Sequence, residues 1–170
     1  MKVRVLVISG SMGSGKTTVM AEASDILAAR GVAHAAIDLD ALGIVHVPEV
    51  MSHDLMYRNL ASIWGNYAAA GVNRLLLAYA VESRAELDRL RQTLPAAEIT
   101  VCRLRAKLET MQRRVRLREP GFLQSRFVAR VAELETLIDG AGVEDLSLSN
   151  DDCSVTDVAH EILMRAGWLY

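Results

Sequence analysis

The sequence predicts an α/β fold in which five parallel strands form a central sheet with helices on both faces. Three observations carry that reading. Short, nearly uninterrupted apolar runs alternate with longer segments of helical period along the whole chain. A strand covered on both faces has no polar side to present, so it reads as a continuous apolar run. The first run passes directly into a glycine-rich string and then into a helical pattern, the strand–loop–helix order of a phosphate-binding unit. Finally, 170 residues of 51% hydrophobic composition carry no internal repeat, low-complexity tract or linker, so residues 1–170 are expected to form a single domain.

Taken in order, Val3–Ser9 is the first strand, and Lys16 to about Arg30 is a helix stopped by Gly31. Val32–Ile37 is a second strand that ends in Asp38-Leu39-Asp40. A helical pattern runs from about Ser52, a candidate N-cap, to Ala70, with Gly71 as its stop. Arg74–Ala80 is a third, buried strand, Ser83–Thr93 a charged helix ending before Pro95, and Ile99–Leu104 a fourth strand. Lys107–Arg118 is helical and arginine-rich, broken by Glu119-Pro120-Gly121. A helix over about Leu123–Asp139, a weak strand at Asp145–Ser149 and a helix over Thr156–Ala166 complete the alternation.

The glycine-rich string is Gly10-Ser11-Met12-Gly13-Ser14-Gly15-Lys16-Thr17, followed by Thr18. It satisfies G-x-x-x-x-G-K-[ST] in the context that gives this pattern meaning, so the fold expected is the three-layer P-loop NTPase fold. A triphosphate requires a concave row of backbone N–H groups, and glycines let the chain curl without side chains in the way. Lys16 then reaches the β/γ-phosphates, Thr17 offers a hydroxyl to Mg²⁺, and the N-terminus of the following helix adds partial positive charge.

Ligands of such sheets sit at the carboxyl ends of the strands. The residues there are the loop 10–17, Asp38 and Asp40, the segment after Ala80, Arg105, and Ser149–Asp152. Asp38 and Asp40 alternate along an extended segment, so both carboxylates can face the triphosphate. One is suited to accept a hydroxyl proton or to hold Mg²⁺ through water, the other to fix a substrate hydroxyl. Arg113, Arg114, Arg116 and Arg118 form a basic run before the Pro-Gly break, suited to covering a transferring phosphoryl group as a short lid over about 114–125. The third strand carries no Walker-B aspartate; Glu82 is the nearest carboxylate. No N-K-x-D guanine-reading string is present, and Ser149-Asn150-Asp151-Asp152 has the character of a loop flanking a base. Residues 41–70 form the expected acceptor-binding region. Its polar and aromatic members include His46, His53, Arg58, Trp64 and Tyr67. His46 and Arg58 are the candidate acceptor contacts, Arg58 as an anion clamp; Trp64 and Tyr67 are assigned to the core.

At these positions the chain resembles the small P-loop kinases that include gluconate, shikimate and adenylylsulfate kinases and chloramphenicol phosphotransferase. The resemblance runs through ISGSMGSGKTT, the post-strand IDLD, RRVRLREPGF and the SND loop before the last helix. It implies ATP or GTP as donor, Mg²⁺ as cofactor, Asp38 as base or metal partner and Asp40 as a second, substrate-side acid. It further implies that Arg114 lies near the nucleotide base, with Asn150 and Asp151, and that Arg118 acts from a lid. The R-x-x-x-R-x-x-G-F spacing is similar to that of gluconate kinases. The chain departs from them at Gln124-Ser125-Arg126 and after its D-x-D, and overall it is similar to actinobacterial-type P-loop ATP-binding proteins.

A net charge of −2 argues against duplex nucleic acid as a partner. Cys102 and Cys153 form neither a metal motif nor a disulfide framework, in keeping with a reducing cytoplasm, and Val3–Ile8 is too short to be a signal core or a membrane span. The expectation is therefore a cytoplasmic kinase, monomer or homodimer, that transfers the γ-phosphoryl group to a hydroxyl of a small metabolite or natural product, Glu82 and Asp40 contributing to the acceptor site. The competing readings are a nucleoside or nucleotide kinase, whose D-R-Y/H string LAYAVES lacks, and a nucleotide-dependent regulatory module.

Overall fold

A computed structural model describes residues 2–46 and 52–169. Its elements are β1 (Val3–Ser9), α1 (Lys16–Ala29), β2 (Ala35–Asp38), a 3-10 turn (Asp40–Gly43), α2 (Ser52–Ala69), β3 (Arg74–Ala78), α3 (Arg84–Thr93), β4 (Ala97–Arg105), α4 (Leu108–Arg118), α5 (Gln124–Ala141), β5 (Leu146–Ser149) and α6 (Val155–Arg165). The strands form one sheet in the order β2-β3-β1-β4-β5, and every pairing is parallel.

That order sets the site. β1 is the central strand, so the loop that leaves it is flanked by the carboxyl ends of β3 and β4. Ile8 lies in register with Ala78, and Ala78 with Asp38, which brings the β2 carboxylate to the edge from which the phosphate loop emerges.

Strand alternation divides the core into two layers. Leu6, Ile8, Leu76, Cys102 and Leu104 point to one face and are covered by Val19, Ala23 and Leu27 of α1 and Ile162 and Leu163 of α6. Val5, Val7, Leu75, Leu77 and Val101 point to the other, under Tyr57, Leu60 and Trp64 of α2 and Leu87 and Leu90 of α3. α4 and α5 pack on each other through Met111, Val115 and Val131, next to Met12 of the phosphate loop.

Several boundaries differ from the sequence reading for local reasons. β2 starts at Ala35 rather than Val32: the N–H of Val32 bonds the Leu27 carbonyl and that of Gly31 the Ala28 carbonyl, so these residues close α1. Tyr67, assigned to the core, is 38% exposed, whereas Trp64 is buried, because the inward stripe of α2 runs through Met56, Tyr57, Leu60 and Trp64. The Ser52 side chain, the candidate cap of α2, lies outside the described residues.

One charge sits inside the protein. Arg103 points from the middle of β4 into the layer under α5 and is 0% exposed. Its guanidinium meets Glu135 at 3.0 Å, Asp139 at 2.5 Å and Glu144 at 3.6 Å. Arg105, expected at the ligand cleft, instead joins this network through Asp139 and Glu144. Cys102 is buried, which pushes its thiol up to about 12, and Cys153 is exposed; both are free. Among the described residues no helix is long and apolar enough to cross a membrane.

Candidate active site

The phosphate loop is braced from outside by three elements. Gly13 (φ +79°) and Gly15 (φ +97°) occupy left-handed conformations, and a Cβ on either would overlap the Met111 carbonyl or the Asn150 amide respectively. The Ser11 hydroxyl donates to the Val131 carbonyl at 2.9 Å, and Asn150 Nδ2 donates to the Ser14 carbonyl at 2.6 Å. Arg114 donates to the Gly13 and Asn150 carbonyls, both at 3.1 Å. Arg114 of α4 and Asn150 of the loop after β5 therefore hold the Gly13 and Ser14 carbonyls, while a carbonyl of α5 holds the Ser11 hydroxyl. The N–H groups of Gly13, Gly15 and Lys16 have no backbone acceptor among the described residues, as donors available to a phosphate chain require.

Lys16 caps the loop, its Nζ donating to the Ser11 carbonyl at 3.1 Å. Burial pushes its ammonium below the ordinary lysine range; the Asp40 and Asp38 carboxylates oppose that shift, and Arg118 adds to it. Thr17, next in sequence, donates its hydroxyl to Asp38 Oδ2 at 2.8 Å. Asp40 lies two residues beyond Asp38, exposed on the cavity that these residues line. Loss of solvent raises its carboxyl above the ordinary range, Lys16 draws it back, and Asp38 reinforces the rise.

These groups share one cavity of about 1010 Å³. Met12, Lys16, Thr17, Asp38, Asp40, Glu82 and Arg118 all line it. Gly10, Ser11, Gly13, Ser14, Gly15 and Thr18 belong to the loop and the start of α1 beside it, with Arg114 and Asn150 behind. Asp151 accepts from the Lys107 N–H at 2.7 Å and so fixes the entry to α4. Arg118 sits at the C-terminal end of α4 with its Nε on Glu119 at 2.9 Å.

Two expected acceptor contacts fall elsewhere. Arg58 is exposed on α2, next to the buried Tyr57 and therefore turned outward, and neither it nor the exposed His46 is among the described residues that line the cavity. His53, a member of the 41–70 region not counted among the candidate contacts, does line it. So do Arg126, Phe127 and Arg130 on the first turns of α5, which the sequence reading passed over. Their i, i+4 spacing beyond the Pro-Gly break was the available signal. Glu82 is paired with Arg130 at 2.8 Å.

The sequence matches no protein-family model, and no curated protein sequence matches it. Solved structures do match. A gluconokinase from Sinorhizobium meliloti 1021 aligns over 98% of this chain and 93% of its own, with TM-score 0.63 and 23% identity. The APS kinase of Mycobacterium tuberculosis, solved with AMPPNP and APS, aligns over 99% of both chains with TM-score 0.67 and 21% identity. A tunicamycin resistance protein from Deinococcus radiodurans gives TM-score 0.64 at 18% identity, over 97% of this chain and 96% of its own. The chain has the P-loop NTPase α/β fold that these proteins share.

Within that fold, the donor set at Thr17 and Asp38 suits a hard cation. A hydroxyl and a carboxylate oxygen 2.8 Å apart can serve one ion, directly or through water. Among the described residues no cluster of three or more His, Cys, Asp or Glu side chains forms a metal cage. Mg²⁺ needs none, since it keeps waters and takes its other oxygens from bound phosphates. The fold thus places a glycine-rich loop, a hydroxyl–carboxylate pair, a second carboxyl with raised proton affinity and an arginine at the end of α4 on one recess.

Proposed function

We infer that this chain is a phosphotransferase that moves the γ-phosphoryl group of ATP or GTP to a hydroxyl of a small metabolite or natural product. The observation that carries the reading is the convergence of Lys16, Thr17, Asp38 and Asp40 on one cavity large enough for a small acceptor beside the triphosphate. The gluconokinase and APS kinase likenesses support a small-molecule acceptor.

The loop N–H groups and Lys16 bind and orient the β- and γ-phosphates. Thr17 and Asp38 would hold Mg²⁺, which would neutralise phosphate charge. The sequence alone left the base open between the two acids. The Thr17 bond supports Asp38 on the metal side, and the raised carboxyl of Asp40 favours it as the base. In the transfer, the acceptor oxygen bonds to the γ-phosphorus, its proton passes to the Asp40 carboxylate, and the bond from the γ-phosphorus to the β-γ bridging oxygen breaks to release the nucleoside diphosphate. Arg118 supplies positive charge to the γ-phosphoryl oxygens.

The test is nucleoside diphosphate formation with and without pooled hydroxylated metabolites, for the wild type and Lys16→Ala. Strong stimulation that the variant loses is expected. Turnover indifferent to every acceptor would replace the kinase with a nucleotide-dependent module.

A further inference from the structure

The cavity lining combines unlike chemistries. Lys16, Thr17, Asp38 and Asp40 are its reacting groups in the phosphotransferase reading. Apolar side chains join the same lining from Ile44, beyond the 3-10 turn, and from Leu123 and Phe127 at the start of α5. Ile44 is 85% exposed, so it contributes little to the folded core, and it shares the recess with apolar side chains from a segment far away in sequence. Apolar surface from two segments converging on one recess is a binding feature rather than scattered surface. A polyol lying there would lose water along its length and gain no hydrogen-bond partners from these three side chains.

The cations on α5 differ in their availability. Arg130 is neutralised by Glu82 at 2.8 Å and Glu133 at 3.0 Å. Arg126, one turn earlier on the same cavity, has no carboxylate partner among the described residues.

Building on the phosphotransferase reading, we propose that the acceptor is an amphipathic alcohol. Its hydroxyl meets Asp40, an aromatic or alicyclic body lies between Ile44 and the Leu123–Phe127 wall, and an anionic or strongly accepting group meets Arg126. The apolar part of the lining thus favours a body that is not hydroxylated along its whole length.

Anilinonaphthalene sulfonate, with fused and pendant rings and one anion, is a direct probe of this wall. Its fluorescence is titrated against the wild type, Leu123→Ser, Phe127→Ser, Arg126→Ala and Phe122→Ser. Leu123→Ser removes apolar surface while placing a hydroxyl at the uncapped N-cap of α5, so the fold is not weakened by the loss of a cap. One-site binding is expected, weakened about three- to tenfold by Leu123→Ser or Phe127→Ser and weakened by Arg126→Ala. Phe122→Ser, at a 96% exposed position outside the lining, is expected to bind like the wild type. No binding, or binding lowered only by Phe122→Ser, overturns the proposal. In parallel, nucleoside diphosphate formation is compared between aryl alcohols that carry a carboxylate and polyols. Stimulation by polyols alone overturns the amphipathic acceptor and leaves the kinase standing. Failure of a non-hydrolysable ATP analogue to bind the wild type counts against the nucleotide site itself.

Discussion

The Thr17 hydroxyl and Asp38 Oδ2 are 2.8 Å apart, joining the first turn of α1 to the carboxyl end of β2. The bond links the phosphate loop to the end of β2, where Asp38 closes the strand and Asp40 opens the 3-10 turn that follows. Thr17→Ala removes one of the two oxygens offered to Mg²⁺ and frees Asp38 to rotate. The expected result is a shift of the half-saturating Mg²⁺ concentration upward by about 10–100-fold, with nucleotide affinity measured in the absence of Mg²⁺ little changed. An Mg²⁺ titration that overlays the wild type would remove Thr17 from the metal site.

Asp40→Asn tests the proposed base apart from Asp38, the proposed metal partner. Turnover with an acceptor is expected to fall by about two to four orders of magnitude, while calorimetry with an ATP analogue still shows binding. The wild-type acid limb of kcat/KM is expected above the ordinary carboxylate value of 3.8, since burial and Asp38 raise this carboxyl and Lys16 only partly offsets them. Stability should respond in the opposite sense. A carboxyl whose pKa is raised on folding costs stability as pH climbs from its unfolded to its folded value, and the cost persists above that. Asp40→Asn is therefore expected to melt slightly higher than the wild type at pH 7 and to lose that advantage below pH 3.8.

Arg118 lies on the cavity, paired with Glu119 just before Pro120-Gly121. Closure of residues 113–126 over bound nucleotide would exchange that carboxylate for γ-phosphoryl oxygens. Hydrogen exchange across this segment is expected to slow when an ATP analogue binds. Arg118→Ala is expected to lower the transfer rate by about 10²–10³ and to affect nucleotide affinity less. Equal protection with and without the analogue would make the break a fixed turn.

Arg103 tests the framework beneath the site. It is fully buried with Glu135 and Glu144 largely enclosed around it, and α5 is held to β4 through this cluster. Arg103→Met leaves those carboxylates without their cation, so denaturant unfolding is expected to show a loss of about 3–5 kcal/mol. A loss under about 1 kcal/mol would mean that water already solvates the carboxylates.

The phosphate loop was legible because its requirements are local: a strand, glycines at fixed offsets, Lys16 and Thr17 in adjacent positions and a helix N-terminus need no distant partner. The same holds for the alternation of strands and helices and for the nearness of Asp38 and Asp40 to the loop, which a parallel sheet imposes on the residue after β2. The role of Arg114 was only half legible. Its neighbourhood near Asn150 was expected, but its bonds to the Gly13 and Asn150 carbonyls make it a brace of the loop.

The acceptor wall was decided by packing. An exposed arginine such as Arg58 and a cavity arginine such as Arg126 have the same local sequence character, and only the rotation of each helix about its axis separates them. That rotation follows from which stripe the sheet buries. Likewise nothing in ITVCRLR distinguishes the buried Arg103 from the partly exposed Arg105. The sequence by itself determined the glycine-rich loop between β1 and α1 and which acids stand beside it, because backbone geometry and spacing suffice for both. The strand order, the buried charge cluster and the face of α5 turned toward the acceptor were decided by the tertiary structure, because each depends on contacts between segments that the chain brings together only on folding.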